Sequence, residues 1–170
     1  NAAAAVAALR ALDAKLPAAA FTRGIADAQL PGRLQRFVRD GVEIRIDVGH
    51  NPQAARELAA WLRARKDEGR TLAVFAALAD KDVAPVVEAF DGLIEGWFLA
   101  GIDDAGPRNQ DADALAAKLA TTGASAGERH ATVAGALAAA LVQACAGDRV
   151  LAFGSFHTAA AALAALRSGE

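Results

Sequence analysis

From residue 42 to residue 167 the chain alternates between two hydrophobic rhythms, and few folds accommodate that alternation. Short, nearly continuous apolar runs at 71–78 (TLAVFAAL), 96–102 and 149–153 (RVLAF) have the length and composition of buried strands. Between them, apolar residues recur every three or four positions. The stretch 52–65 carries Ala55, Leu58, Ala59 and Leu62 on one helical face, and 83–90, 111–121, 132–146 and 156–167 read as further helices. Buried strands joined through helices require right-handed crossovers and a mostly parallel sheet covered on both faces. Ahead of them, Asp40-Gly41 separates two strand-like runs at 34–38 and 42–48, which predicts a tight hairpin and one antiparallel strand. The expected class is α/β: a Rossmann-like, mostly parallel sheet of about six strands with one antiparallel strand and helices on both faces. Its weakest member is a short strand within 123–131.

The residues before the hairpin follow another pattern. Residues 1–12 form an Ala-rich helical stretch with Asn1 placed to cap it, Pro17 interrupts, and 21–28 gives a second short helix. Two short helices cannot enclose a core, so a boundary is expected near 29–33, with the first residues the tail of another domain. The chain contains no Met, and the expectation is that it is part of a longer protein. No basic region precedes the opening alanines, so no signal peptide is expected.

Composition narrows the function classes. Ala accounts for 48 of 170 residues, which favours close helix packing through small side chains. A net charge of −2 argues against electrostatic capture of nucleic acid or of an acidic membrane surface. No apolar stretch approaches the roughly 18 residues a membrane span needs. The single cysteine, Cys145, excludes an internal disulfide; within an Ala-rich helical run it reads as a small core residue. Three scattered histidines without a cysteine partner do not compose a metal site.

Ligands of open α/β sheets bind beyond the carboxyl ends of the strands, and two such ends stand out. In Asp47-Val48-Gly49-His50-Asn51-Pro52 a strand closes on a carboxylate and a helix opens on a capping Asn-Pro pair. A carboxylate there suits ribose hydroxyls and an imidazole suits a phosphate or carboxylate, although Asp47 could equally satisfy loop amides. In Phe153-Gly154-Ser155-Phe156-His157-Thr158 a glycine and a hydroxyl sit at a helix start, either to hold an anion or simply to cap the helix, and His157 reads as a packing residue. Arg33, after Pro31-Gly32, stands in the connection between the two expected domains. Asp80-Lys81-Asp82 and Gly106-Pro107-Arg108 follow the next strands. No phosphate loop, dinucleotide fingerprint or nucleophile elbow is present, so the chain lacks a complete catalytic apparatus.

Taken in order, Leu30-Pro31-Gly32-Arg33-Leu34-Gln35, the Asp47–Pro52 segment, Asp80-Lys81-Asp82, Gly106-Pro107-Arg108 and Gly154-Ser155-Phe156-His157-Thr158 resemble the C-terminal part of the dihydrofolate synthase/folylpolyglutamate synthase family, the folate branch of the Mur ligases. The resemblance covers essentially the whole chain. It implies an ATP-dependent amide ligase that adds L-glutamate to dihydropteroate, to the γ-carboxylate of folates, or to both, through an acyl phosphate. ATP and Mg2+ are the implied cofactors, with the metal ligands and the folate-binding loops in upstream residues that this chain lacks. Residues 1–29 are then the tail of the central ATPase domain, 30–39 a linker and first strand, and 40–170 the C-terminal domain, inactive by itself. Carried over by position, Arg33 is expected at the ATP phosphates as a binding and catalytic residue, and Asp47 at the ribose hydroxyls. His50 is expected to be catalytic and to contact both ATP and glutamate, and Ser155 to contact glutamate. Lys81 and Arg108 are secondary candidates, and no metal ligand is assigned. Gly49 stands where the family more often has Ala. The implied protein is a cytoplasmic monomer with small-molecule substrates only. Two rival readings are the C-terminal domain of a peptidoglycan Mur ligase, disfavoured by His50-Asn51-Pro52 and Pro31-Gly32-Arg33, and a non-catalytic nucleotide-binding Rossmann-like module.

Overall fold

The computed structural model describes residues 2–12, 15–28, 30–65 and 69–168; the cap expected of Asn1 lies outside them. The chain divides into two compact units, Asn1–Pro31 and Gly32–Glu170. In the first, helix α1 (Ala2–Leu12) buries no residue and α2 (Ala18–Ala26) buries Phe21, over whose ring Arg10 places its guanidinium at 5.3 Å.

The second unit follows the alternation of its sequence. Strands β1 (Gln35–Arg39) and β2 (Val42–Ile46) form the hairpin, and Asp40 and Gly41 both take positive φ, +52° and +79°, as the tight turn between twisted strands demands. There follow α3 (Pro52–Arg63), β3 (Thr71–Phe75), α4 (Ala84–Glu88), β4 (Gly96–Ala100), α5 (Ala112–Lys118), β5 (Glu128–His130), α6 (Val133–Gln143), β6 (Arg149–Phe153) and α7 (Phe156–Ser168). The six strands form one sheet in the order β1-β2-β6-β3-β4-β5. β1 and β2 pair antiparallel, and every other neighbouring pair is parallel. The expected class is the class observed, including the short strand within 123–131.

That order fixes the layers. The path β2-β3-β4-β5 steps one way across the sheet, so right-handed crossovers put α3, α4 and α5 on one face. The return to β6 puts α6, with α7, on the other. Each face has its own core. Leu58, Leu62, Val87 and Leu115 pack on Phe75, Trp97 and Phe153, whereas Ala136, Leu137, Ala140 and Ala162 pack on Ile44, Ile46, Val74 and Val150. On the first face, the Phe153 ring lies 5.0 Å from Phe75 and 4.8 Å from Phe90.

Three expectations are corrected. The strands expected at 42–48 and 71–78 pair only as far as Ile46 and Phe75. Beyond Ile46, Val48 N–H turns to the carbonyl of Gly32. Beyond Phe75 the apolar run Ala76–Leu78 stays buried outside the strand, tied to β6 only by the Ala76 N–H bond to the Phe153 carbonyl, so its composition reflects burial more than pairing. Cys145 is exposed and lies past the end of α6, because Ala144 turns extended and the Cys145 N–H bonds the carboxylate of Asp148.

Candidate functional site

β6 leads to a helix on one face of the sheet, while its neighbours β2 and β3 lead to helices on the other. Their carboxyl ends therefore part, and a crevice of about 220 Å³ opens there. It is lined by His50 after β2, Leu78 and Lys81 after β3, Arg108 after β4, and Gly154, Ser155, Phe156 and His157 at the junction of β6 and α7.

Asp47 sits behind His50 and is only 7% exposed. One carboxylate oxygen accepts the Gly49 N–H at 2.7 Å and the other the Leu34 N–H at 2.8 Å. Asp47 thereby ties the loop after β2 to the turn that carries Arg33. That turn depends on Gly32, at φ +66°, where a Cβ would lie 2.9 Å from a methyl of Val48. Arg33 is exposed, and its guanidinium stands 5.8 Å over the Phe156 ring at the rim of the crevice. Gly49 has little spare room: a methyl there would lie 3.0 Å from Leu58 and 3.1 Å from Asp47.

His50 is half-buried, with Nδ1 3.0 Å from the carbonyl oxygen of Val48. A carbonyl only accepts, so Nδ1 carries a proton and Nε2 is the atom left for a ligand. Asn51 then starts α3, accepting the Ala54 N–H at 2.9 Å, with Pro52 in the first turn.

The second junction is built more tightly. Gly154 has φ +123°, and a Cβ there would lie 2.3 Å from the carbonyl oxygen of Ala76. Ser155 caps α7, its Oγ accepting the Thr158 N–H at 2.9 Å. Thr158 donates its single hydroxyl hydrogen to the Ala76 carbonyl at 2.7 Å. The 2.6 Å contact between the two hydroxyls must then use the Ser155 hydrogen, which leaves Ser155 as an acceptor only. This chain of bonds is buried and pins α7 to the end of β3.

Opposite, Lys81 pairs with Asp80 at 3.1 Å. The Asp80 carboxyl is held below its ordinary range, first by the Lys81 hydrogen bond and also by the charges of Lys81 and Arg108. Arg108 ends a 3-10 turn, Gly106–Arg108, whose last carbonyl accepts the Ala79 N–H at 3.0 Å. The structure thus brings His50, Lys81, Arg108 and Ser155 around one crevice, with Arg33 at its rim and Asp47 behind it. Sequence reasoning missed Asp104, whose carboxylate lies 2.8 Å from Nδ1 of His157 across 53 residues of chain. It also took His157 for a packing residue, whereas the ring lines the crevice. Among the described residues, no three His, Cys, Asp or Glu side chains converge as a set of metal ligands, and no helix is long and apolar enough to cross a membrane.

Residues 32–156 match the Mur ligase family, in its glutamate ligase domain. Over 160 residues, 94% of the chain, the sequence is 40% identical to the dihydrofolate synthase/folylpolyglutamate synthase of Escherichia coli strain K12, of which it covers 36%. Among solved structures, E. coli FolC in complex with DHPP and ADP superposes with a TM-score of 0.85 at 38% identity, over 99% of this chain and 39% of that one. A bifunctional folylpolyglutamate synthase/dihydrofolate synthase with Mn, AMPPNP and L-glutamate bound superposes with a TM-score of 0.76 at 33% identity, over 90% of this chain and 36% of that one. The chain therefore spans less than half the length of each of these proteins.

Proposed function

The chain belongs to the Mur ligase family through its glutamate ligase domain, and from that premise we propose that it is the C-terminal domain of an ATP-dependent amide ligase. The ligase joins L-glutamate to dihydropteroate, to the γ-carboxylate of a folate, or to both, through an acyl phosphate. The observation that carries this reading is the cationic crevice where β6 parts from its neighbours. His50, Lys81 and Arg108 face the start of α7 there, an environment suited to phosphate and carboxylate groups.

In this reading Arg33 reaches the ATP phosphates, as its exposed position on the turn before β1 allows. Asp47 takes the ribose hydroxyls with the lone pairs its two amide bonds leave over. His50 presents Nε2 to the reacting phosphate and to glutamate, and donates to their oxygens in its doubly protonated form, in which both ring nitrogens are donors. Ser155, with its hydrogen committed to Thr158, serves glutamate as an acceptor and by holding the α7 amides in place. Lys81 and Arg108 add charge at the mouth. Magnesium bridges phosphate oxygens in such reactions; no ligand set for it converges among the described residues, and its ligands are assigned to residues outside this chain.

Residues 1–29 are then the end of a central ATPase domain, 30–39 a linker and first strand, and 40–170 the domain that closes over it. By itself the chain is inactive. The full protein acts as a cytoplasmic monomer on small molecules. Two relatives support the substrate class: the E. coli protein was solved with DHPP and ADP, and the bifunctional synthase with L-glutamate and AMPPNP.

The test is ADP release by the full-length protein with magnesium-ATP and L-glutamate, comparing dihydropteroate with a reduced monoglutamyl folate as acceptor. Release that requires glutamate and dihydropteroate establishes dihydrofolate synthase activity, and release with the folate as well makes the enzyme bifunctional. Folded protein that binds ATP but releases no ADP with either acceptor overturns the substrate assignment.

A further inference from the structure

Two imidazoles line the crevice, and they are held differently. His50 is anchored through Nδ1 to a neutral carbonyl, that of Val48. His157, in the first turn of α7, is anchored through Nδ1 to the carboxylate of Asp104 at 2.8 Å. Its ring also lines a second crevice beyond the carboxyl end of β4, bounded by Gly101, Asp103, Thr132 and Ala134, and so stands between the two. The other charged or titratable groups around it are Asp103 beside Asp104, with Lys81, Arg108 and His50 in the first crevice.

Resting on the ligase reading above, we propose that His157, oriented by Asp104, is the base that takes a proton from the incoming amino acid. Glutamate arrives with its α-nitrogen as an ammonium, which has no lone pair for attack. Lysine and arginine side chains act as donors only, and the Ser155 hydroxyl, whose hydrogen goes to Thr158, accepts a hydrogen bond but is far too weak a base to keep an ammonium proton. His157 has the required arrangement: a carboxylate fixes the Nδ1–H tautomer, leaves Nε2 to accept, and supplies a countercharge for the ring that has gained a proton. Among the described residues His50 has no carboxylate partner, and it remains the residue of the anionic groups.

In the step itself, one ammonium proton passes to Nε2 of His157 and the freed lone pair forms the C–N bond at the acyl-phosphate carbon. The bond from that carbon to the phosphate oxygen then breaks, and its electron pair leaves with phosphate. The second nitrogen proton goes to the departing phosphate, giving the neutral amide and hydrogen phosphate.

The experiment uses the full-length protein, His157→Gln and Asp104→Asn, each with two amines: L-glutamate, and hydroxylamine, which is largely unprotonated at neutral pH and needs no base. For His157→Gln, glutamate-dependent turnover is expected to fall about 100-fold or more at neutral pH, the usual contribution of a positioned base. Hydroxamate formation should stay within about twofold of wild type, since acyl-phosphate formation does not involve this ring. Raising the pH should recover part of the glutamate rate by supplying free amine. Asp104→Asn should show the same split between the two amines with a smaller loss, and it carries the comparison should His157→Gln fail to fold. Equal losses with both amines, or unchanged glutamate turnover, overturn the assignment of the base while the ligase reading stands. A wild-type protein that makes neither amide nor hydroxamate overturns both.

Discussion

Asp47 commits both carboxylate oxygens to the chain itself, one to the amide of Gly49 and one to that of Leu34. Removing them strands two amides in a buried setting. Asp47→Ala should therefore lower the unfolding free energy by about 2–4 kcal/mol and Asp47→Asn by roughly half as much, read as the shift of a urea transition. Glu43 is a second carboxylate bound by its surroundings. Burial by itself pushes the carboxyl up, but hydrogen bonds from Arg149, Arg36 and Arg45 outweigh it and bring it down from the ordinary 4.5 to about 2. A group depressed on folding stabilises the folded state above its unfolded value. The contribution of Glu43 is thus complete above about pH 4.5 and is lost as the pH falls from there toward 2. Unfolding midpoints measured down that range should drop less steeply for Glu43→Gln than for wild type. Neither arrangement could be read beforehand. Asp47 was visible as the end of a strand, but its partner Leu34 lies 13 residues back, and the three arginines around Glu43 come from β1, β2 and β6. The pairing of Asp104 with His157 is hidden in the same way, since neither residue has a helical or strand rhythm that points to the other.

At the scale of elements, the junction of β6 and α7 leaves least freedom. Gly154 combines φ +123° with a site for Cβ only 2.3 Å from a backbone oxygen, so Gly154→Ala must shift the end of β3 or of β6. The expected cost is about 3 kcal/mol or more, seen as a lower thermal midpoint, whereas Ser155→Ala, which removes the α7 cap and the buried hydrogen bond to the Thr158 hydroxyl, should cost about 1–2 kcal/mol. Element type was legible here because each segment has its own punctuation. β6 lies between Gly147-Asp148 and Gly154 and has the bounds its sequence suggests. Asn51-Pro52, Asp111 and Thr132 sit at the starts of their helices, each accepting an amide from the first turn. Element ends were less legible. The apolar residues 76–78 continue past the last strand pairing because the loop they form is itself covered, and hydrophobicity records covering and not hydrogen bonding.

For the molecule as a whole, both hydrophobic cores are made of residues from Leu34 onwards, and among the described residues the first unit adds Phe21 as its only buried apolar side chain. Residues 32–170 produced alone should therefore unfold in a single cooperative transition in urea, and a broad, non-cooperative loss of signal would show that the cores need the first helices. The alternation of strands and helices announced a parallel sheet, but strand order was beyond reach. Nothing in RVLAF distinguishes a strand at the edge from one in the middle, and only the contacts of residues far apart in the chain decide it.

The position of β6 has a consequence for how this protein comes into being. β2 and β3 are separated by the width of one strand, and the strand that fills the gap is made after the other five strands of the sheet. Until Phe153 has emerged, the nascent chain holds a β-hairpin and a three-stranded fragment with two open edges facing one another, Ile44 and Val74 among the apolar residues left uncovered. Folding must therefore wait for synthesis, and it closes over long sequence separations, which makes it slow and leaves the waiting chain open to association with its neighbours. A stop codon shortly before residue 149 would remove the strand that joins β2 to β3, and with it the whole of the sheet's continuity.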